Sequence, residues 1–478
     1  MNKAYLNSNI LNLIENKDYT VTRINTNKLL NHNRFDIVIK HIYSKHYKNK
    51  TLTPFTTKLY LDHINCINGF VENDDSKKIG KDAFLKSFNK LLDSIEDRGF
   101  NSDEIIPLGN NRVILDGAHR LSTQIGFNQE LNVLNLDVQG VKLDFDFFKR
   151  HGLSEVQLDY AAIEYAKLDV KSHMVLLWPL GEGFESQLLS IFEQYGKVIY
   201  HKEVKFNLSG LTQLVRVAYS REAWLGNENN DFVGARNKAR WCYSDNSILR
   251  AFLFHANDGS DLVEMKEKIR ELFSLGKHPV HINDTHEETI ELANFLFNKN
   301  TVSWANKSRL VNFDGFSGFH LEFKKKLAEN NCKLDDFLVV GSILSTFGVK
   351  DCKDFDYINA YGSDCTFFKG ELDIEYERDK LNYIEPDDFS LIYDPNNYFY
   401  YQNVKFLSLE NTIKFKGKRK RDNDLNDLVI LNKIYKSQNS YAFSLSEMFQ
   451  MLVKTSFWRA RIKMFLLKVR YYIFKVIK

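Results

Sequence analysis

The sequence predicts an α/β (α+β) protein of several domains, and three observations carry that reading. A chain of 478 residues is too long for a single hydrophobic core, so about three folding units are expected. Segments with apolar residues at helical spacing alternate with short apolar runs bounded by Gly, Asn and Asp, the pattern of helices and strands in mixed sheets. Apolar residues make up 44% and charged residues 27%, proportions that exclude a largely disordered chain.

The same bulk properties narrow the function. Lys and Arg number 65 against 62 Asp and Glu, a net charge of +3, too small to suggest wholesale nucleic-acid binding, and no DNA partner is expected. Cys66, Cys242, Cys332, Cys352 and Cys365 form no C-x-x-C pair and have no histidine at zinc-finger spacing, so neither a disulfide framework nor a structural zinc is predicted. A reducing cytosol fits. The segment MNKAYLNSNILNLIENKDY lacks the basic and apolar runs of a secretory signal, and no window resembles a spanning helix, so a cytoplasmic protein is expected.

The first domain is expected over residues 1–165. RFDIVIKHIYSKHYK and KDAFLKSFNKLLDSIEDRG read as amphipathic helices, the second capped by Gly99. IIPLG, RVILDG and ELNVLNLDVQG read as strands of a small mixed sheet. Between the last two lie Asp116, Gly117, His119 and Arg120, with a helix expected to begin near His119. A strand, a glycine turn and a helix start bearing His and Arg make a compact anion site. The stretch resembles the ParB-like and sulfiredoxin-like fold, and the resemblance is motif-deep. It implies that Asp116 and Gly117 bind nucleotide phosphates and that His119 and Arg120 support ATP- or CTP-dependent phosphoryl transfer. The other reading of these residues is that His119 and Arg120 cap the helix or pair with Asp116. Glu72, Asp74, Asp75, Lys77 and Lys78 either complete such a site or form a solvated loop. DNA clamping would need a helix-turn-helix unit downstream, and none is visible.

The middle domain, 166–300, opens as strand, helix, strand with HMVLLWPLG, FESQLLSIFEQYG and KVIYHKEVKF. Thr285 and Glu288 form a T-x-x-E capping box ahead of IELANFLF. His278, His281, Asp284 and His286 invite a metal reading, but their spacing matches no established cluster, and alternation puts His281 and Asp284 on opposite strand faces. Trp224, Lys238, Arg240 and Trp241 are candidate lining for a cleft of unspecified ligand.

The strongest chemical signal lies in the third domain, 301–438, in FLVVGSILSTFGVKDCKDFDYI. An apolar strand ends at Gly341-Ser342, an apolar stretch follows, and Asp354-Phe355-Asp356 alternates acid, apolar, acid. In a strand this places two carboxylates side by side, where they repel unless a cation sits between them. Mg²⁺ takes one or two carboxylates together with phosphate oxygens and water, so the pair suits a metal–triphosphate complex. A Gly-Ser turn opening a helix adds N–H donors and a hydroxyl for phosphate.

This pattern resembles the nucleotidyltransferase superfamily that includes the minimal nucleotidyltransferases, with a nucleotidyltransferase-type mixed sheet and helices as the implied fold. The match is Gly341, Ser342, Asp354 and Asp356. It implies transfer of a nucleoside monophosphate or a related phosphoryl group, with the aspartates on Mg²⁺ or Mn²⁺ and Gly341 and Ser342 on the phosphates. The superfamily's third carboxylate lies on a later strand, for which Asp373 in GELDIEY is the candidate and Glu375 the alternative. Downstream, YFYYQNVKFLSLENTIKFKGKRKRDNDLNDLVIL resembles the segment after the catalytic strands of some bacterial members. There Lys405, Lys416 and Arg419 are placed to reach phosphates, while Asp424 and Asp427 order a helix. Asn423 departs from the Lys expected before the first of these aspartates.

Residues 439–478 carry a basic amphipathic segment. From Ser456 onward there are seven basic residues and no acidic one, with Trp458, Ile462, Phe465, Val469, Tyr472 and Val476 on one helical stripe. The composition suits an anionic membrane surface, the alternative being a helix packed on the protein or on a partner. Together these features point to a Mg²⁺-dependent nucleotidyl or phosphoryl transferase of bacterial surface-polysaccharide assembly, whether of capsule or lipopolysaccharide. It would take ATP or CTP and a phosphorylated or glycan acceptor, and would be cytoplasmic or peripheral on the membrane's inner face. The alternatives are a non-catalytic nucleotide sensor and a toxin or defence module that nucleotidylates tRNA or protein.

Overall fold

The structure is a computed structural model that describes residues 6–15, 19–72, 76–101, 104–127, 129–227, 230–244, 246–363, 365–368, 373–377 and 382–437. The basic C-terminal segment, Asp74, Asp75 and Leu372 lie outside the described residues. The fold is mixed α/β in two compact units, one ending at Val170 and the other starting at Lys171.

The first unit is built on a three-stranded sheet of β1 (Tyr19–Asn25), β2 (Ile105–Leu108) and β3 (Glu130–Leu136) in the order β1-β3-β2. β1 runs antiparallel and β2 parallel to β3, so the sheet is mixed. RVILDG, expected as a strand, is a turn. Asn111 and Arg112 both take left-handed backbone angles, folding the chain back so that Leu115 N donates to Pro107 O. The third strand is instead β1, whose residues are mostly exposed and so lack the apolar alternation that marks a half-buried strand. Helix Asp36–Lys48 is buried on nearly every side, Asp36 and Lys40 included. Helix Lys81–Arg98 buries Phe84, Phe88 and Leu92 and stops at Gly99, φ 75°.

The second unit holds two sheets. In the first, β4 (Ser172–Leu177), β5 (Gly196–Lys205), β6 (Ile248–Ala256) and β7 (Val280–Ile282) run in the order β5-β6-β4-β7, antiparallel throughout. Helices Glu185–Tyr195 and Leu262–Phe273 close a core over Val175, Leu177, Phe254, Val280 and Ile282. The Thr285–Glu288 capping box is present at helix His286–Leu296.

The second sheet contains β8 (Phe337–Val339), β9 (Phe355–Asn359), β10 (Ile374–Tyr376), β11 (Tyr398–Tyr401) and β12 (Val404–Leu407) in the order β10-β9-β8-β12-β11. β9 is antiparallel to β8 and parallel to β10, and β12 is parallel to β8. Gln402 and Asn403, at φ 47° and 68°, make the two-residue turn of the β11–β12 hairpin, which a pair of left-handed residues matches to sheet twist. Helix Asp314–Glu329 lays Phe316, Phe319 and Phe323 against Phe355. Because side chains alternate along a strand, Asp356 projects from the opposite face. Among the described residues no helix is long and apolar enough to cross a membrane.

Candidate functional site

The Gly-Ser turn and the acid strand are locked together. Val340 N and Gly341 N both donate to Asp356 O, at 2.8 and 3.3 Å, and Ser342 Oγ donates to Asp354 O at 2.7 Å. Ser342 holds a left-handed φ of 54°, unusual for a residue with a side chain. Its hydroxyl, implied as a phosphate ligand, is thus bonded to backbone and positions the acidic segment. The helix that follows, Ile343–Thr346, is a single turn, too short to build a macrodipole at its start.

The loop leading to Asp354 is pinned from two directions. Asp351 accepts from Phe316 N at 2.8 Å and Gly315 N at 3.2 Å, satisfying first-turn donors of helix Asp314–Glu329. Lys350 Nζ reaches Asp427 Oδ1 at 2.5 Å. Asp354 therefore lies just before β9 and is exposed, whereas Asp356 lies within β9 and is buried.

Gly341, Ser342, Asp354, Asp356, Lys416 and Arg419 all line one cavity of about 430 Å³. Carboxylates stand on the wall formed by the turn and β9. Lys416 and Arg419 come from helix Leu409–Arg419, and the lining also includes Lys350 and Lys353 on the acidic loop and Asp424 and Asp427 beside the two cations. Lys416 Nζ bonds Asp424 Oδ1 at 3.1 Å and Asp427 Oδ2 at 2.8 Å, and Arg419 grips Asp424 with Nε at 2.8 Å and Nη2 at 2.6 Å. Burial raises the Asp424 carboxyl's pKa, but its bonds with Arg419 and Lys416 outweigh that and hold it well below the usual carboxylate range. Arg419 is held more strongly protonated, first by Asp424, with further contributions from Asp356 and Glu377. Asp424 and Asp427 thus order the basic helix as the sequence suggested. Asn423 is on the cavity wall.

A second set of acids adjoins Asp356. Asp356 pairs in register with Glu375 on β10, and carboxylate oxygens of Asp356, Glu375 and Glu377 lie within 4.8 Å of one another. Asp373 and then Asp356 and Glu377 push the Glu375 pKa upward, a sign of mutual repulsion. Neither Asp354 nor Asp373 belongs to this group. Asp373 is exposed, and its carbonyl extends the ladder by accepting from Phe355 N at 2.8 Å. The sequence's alternative, Glu375, is a member, and Glu377 was missed. The signal was present, because Asp373, Glu375 and Glu377 are two apart and share one strand face.

Other expected residues sit elsewhere. Lys405 is buried and donates to Asp335 O and Ile392 O, at 2.7 and 2.9 Å, so it serves the fold. In the first unit, Gly117 takes φ 82° and the helix after it spans only Ala118–Ser122. Arg120 pairs with Glu104 at 2.8 Å, and His119 Nε2 lies 3.0 Å from Tyr60 Oη against the Phe88 ring. Burial first, then Lys40, His63 and Lys78, hold the His119 pKa well below its usual value. Asp116 accepts from Gly117 N and from Asn7 Nδ2 at 2.6 and 3.0 Å. Asp116 and Gly117 therefore shape the turn, while His119 and Arg120 face different partners. Glu72 pairs with Lys78 at 3.6 Å. Among the described residues, His278, His281, Asp284 and His286 form no metal-holding group. No family model, curated protein or solved structure matches the chain.

Proposed function

We propose that the half of the second unit built on the five-stranded sheet transfers a nucleotidyl or phosphoryl group from ATP or CTP to an acceptor, with Mg²⁺ or Mn²⁺. The observation that carries this reading is that Asp354, Asp356, Lys416 and Arg419 all line the same cavity. Carboxylates suit a cation, Lys416 and Arg419 suit phosphate oxygens, and a triphosphate–metal complex presents both. The donor set fits a hard divalent ion, since all its ligands are carboxylate oxygens that repel one another without a cation. Asp356, Glu375 and Glu377 would hold it, and Asp356 is the member of that group that also lines the cavity, together with Asp354. The bound ion would supply charge neutralisation at the reacting phosphate.

Lys416 and Arg419 are held in place by Asp424 and Asp427 before any substrate arrives, so little reorganisation accompanies binding. In the transfer, an acceptor oxygen bonds to the attacked phosphorus as the bond to the leaving phosphate oxygen breaks; for nucleotidyl transfer the leaving group is pyrophosphate. A phosphorylated or glycan acceptor of bacterial surface-polysaccharide assembly fits the resemblance, and the basic tail suits the inner face of a membrane. In the first unit's Asp-Gly-Ala-His-Arg stretch, Arg120 pairs with Glu104 and His119 meets Tyr60, and this reading places the transfer in the second unit alone. The test is pyrophosphate release from ATP or CTP with Mg²⁺ and a bacterial envelope extract. The wild-type chain is expected to release it and Asp356→Asn to lose at least a hundredfold in rate. Equal release by both would end this reading.

A further inference from the structure

The antiparallel half of the second unit has a cluster that the transferase reading does not use. Tyr219, at the end of helix Leu208–Ala218, is its hub. The His281 ring lies 4.6 Å from the Tyr219 ring and the Trp224 ring 5.1 Å from it. Lys238 Nζ stands over the same ring at 5.6 Å. Trp224 is 44% exposed, so an aromatic face is open to solvent beside a buried polar floor.

That floor is electropositive. Lys266 and Arg270, on helix Leu262–Phe273, have side chains only 17% and 19% exposed, whereas their carboxylate partners Asp284 and Glu267 are 86% and 55% exposed. These two anions are left in water, where screening weakens their compensation, while the more buried Glu288 is a further anion acting on Lys266. His281 is pushed down to about 3 by burial first, then by Lys266, Lys238 and Arg270. Among the described residues, its Nε2 and the Nε of Arg270 are buried without a hydrogen-bond partner, which is uncommon for interior polar atoms and costly where it occurs.

We propose that Tyr219, Trp224, Lys238, Lys266, Arg270 and His281 form a second binding site, for a small phosphomonoester that carries a flat-faced ring. The phosphate would meet Arg270, Lys266 and Lys238 and accept from the unpartnered nitrogens. The ring would lie on Trp224, either as a nucleobase or as the apolar face of a sugar. This site is independent of the transferase reading, since none of its residues lines the cavity at Asp356.

The test is titration of the full chain with adenosine monophosphate, glucose 1-phosphate and inorganic phosphate, followed by calorimetry and tryptophan fluorescence. At least one organic phosphate is expected to bind tenfold or more tightly than inorganic phosphate, and which one binds identifies the ring as base or sugar. Arg270→Gln and Lys238→Gln are each expected to weaken that binding about tenfold, Trp224→Ala to weaken it and remove the fluorescence change, and Asp356→Asn to leave it intact. Lys238 is partly exposed, so its variant serves if Arg270→Gln does not fold. Absence of binding by both organic phosphates, or binding that is unchanged in both the Arg270 and Lys238 variants, or binding that is lost with Asp356→Asn, would overturn the proposal.

Discussion

A Cβ at position 341 would stand 2.9 Å from Asp356 Oδ2 and 3.1 Å from Asp356 Cβ. Glycine is thus required here by the close approach of the acid strand. Gly341→Ala is expected to fold but to displace the Asp356 carboxylate, at a cost of about 1–3 kcal/mol for an overpacked contact. Urea denaturation should read that loss, and Mg²⁺ titration a drop in affinity of about tenfold or more. Unchanged Mg²⁺ affinity would separate Gly341 from the acidic group.

The acids around Glu375 predict a pH-dependent cation site. Glu375 titrates above its ordinary value of 4.5 because of Asp373, Asp356 and Glu377, so protons compete with a cation further up the pH scale than at an isolated glutamate. Mg²⁺ affinity should therefore rise as pH increases through that raised pKa and then level off. Calorimetric titration from about pH 4.5 to pH 7.5 would show it, and Glu375→Gln should weaken binding while flattening the dependence.

Asp424 carries the packing of the basic wall. Its side chain is fully buried between Lys416 and Arg419, so Asp424→Asn takes from Arg419 its carboxylate partner and from Lys416 one of its two, at about 3–5 kcal/mol. Because its pKa is lowered on folding, this stability is present above the ordinary value of 3.8 and lost as pH falls through the lowered one. Denaturant unfolding of both chains at neutral pH measures the difference. In the transferase assay the variant should raise the KM for NTP more than it lowers kcat.

The first unit should be acid-sensitive through His63. This ring is fully buried, its Nδ1 bonds the Tyr60 carbonyl, and among the described residues its Nε2 has no hydrogen-bond partner. Burial first, then Lys40, hold its pKa well below 6.5. The unfolded chain therefore takes up a proton as pH falls below 6.5 while the folded one does not. Stability present above that pH is lost below it, at about 1.4 kcal/mol per pH unit for one such group. His63→Leu removes the orphaned nitrogen and should be neutral or stabilising at pH 7.5, with a shallower decline in acid. Thermal unfolding of the first unit between about pH 7.5 and pH 5 compares the two slopes.

Local signals were legible where one segment contains its own reason. The Thr285–Glu288 box, the Gly99 stop, the amphipathic helix with Phe84 and Phe88, and the spacing of Gly341-Ser342 from Asp354 and Asp356 are short-range patterns, and each has a counterpart in the structure. β1 was not legible, because its residues are mostly exposed and its pairing partner is more than a hundred residues away in sequence.

By itself, the sequence determined a mixed α/β chain, an acid strand beside a Gly-Ser turn, and a basic helix ordered by spaced aspartates. Only the tertiary structure decided which carboxylates meet. Registry of β10 with β9 brings Glu375 and Glu377 to Asp356 and leaves Asp354 and Asp373 outside that group. Tertiary packing likewise buried Lys405 against two backbone carbonyls and left Lys266 and Arg270 less exposed than their carboxylate partners. The physical reason is that alternation along a strand gives the face a side chain occupies, while the partner on that face is set by strands and helices distant in the chain.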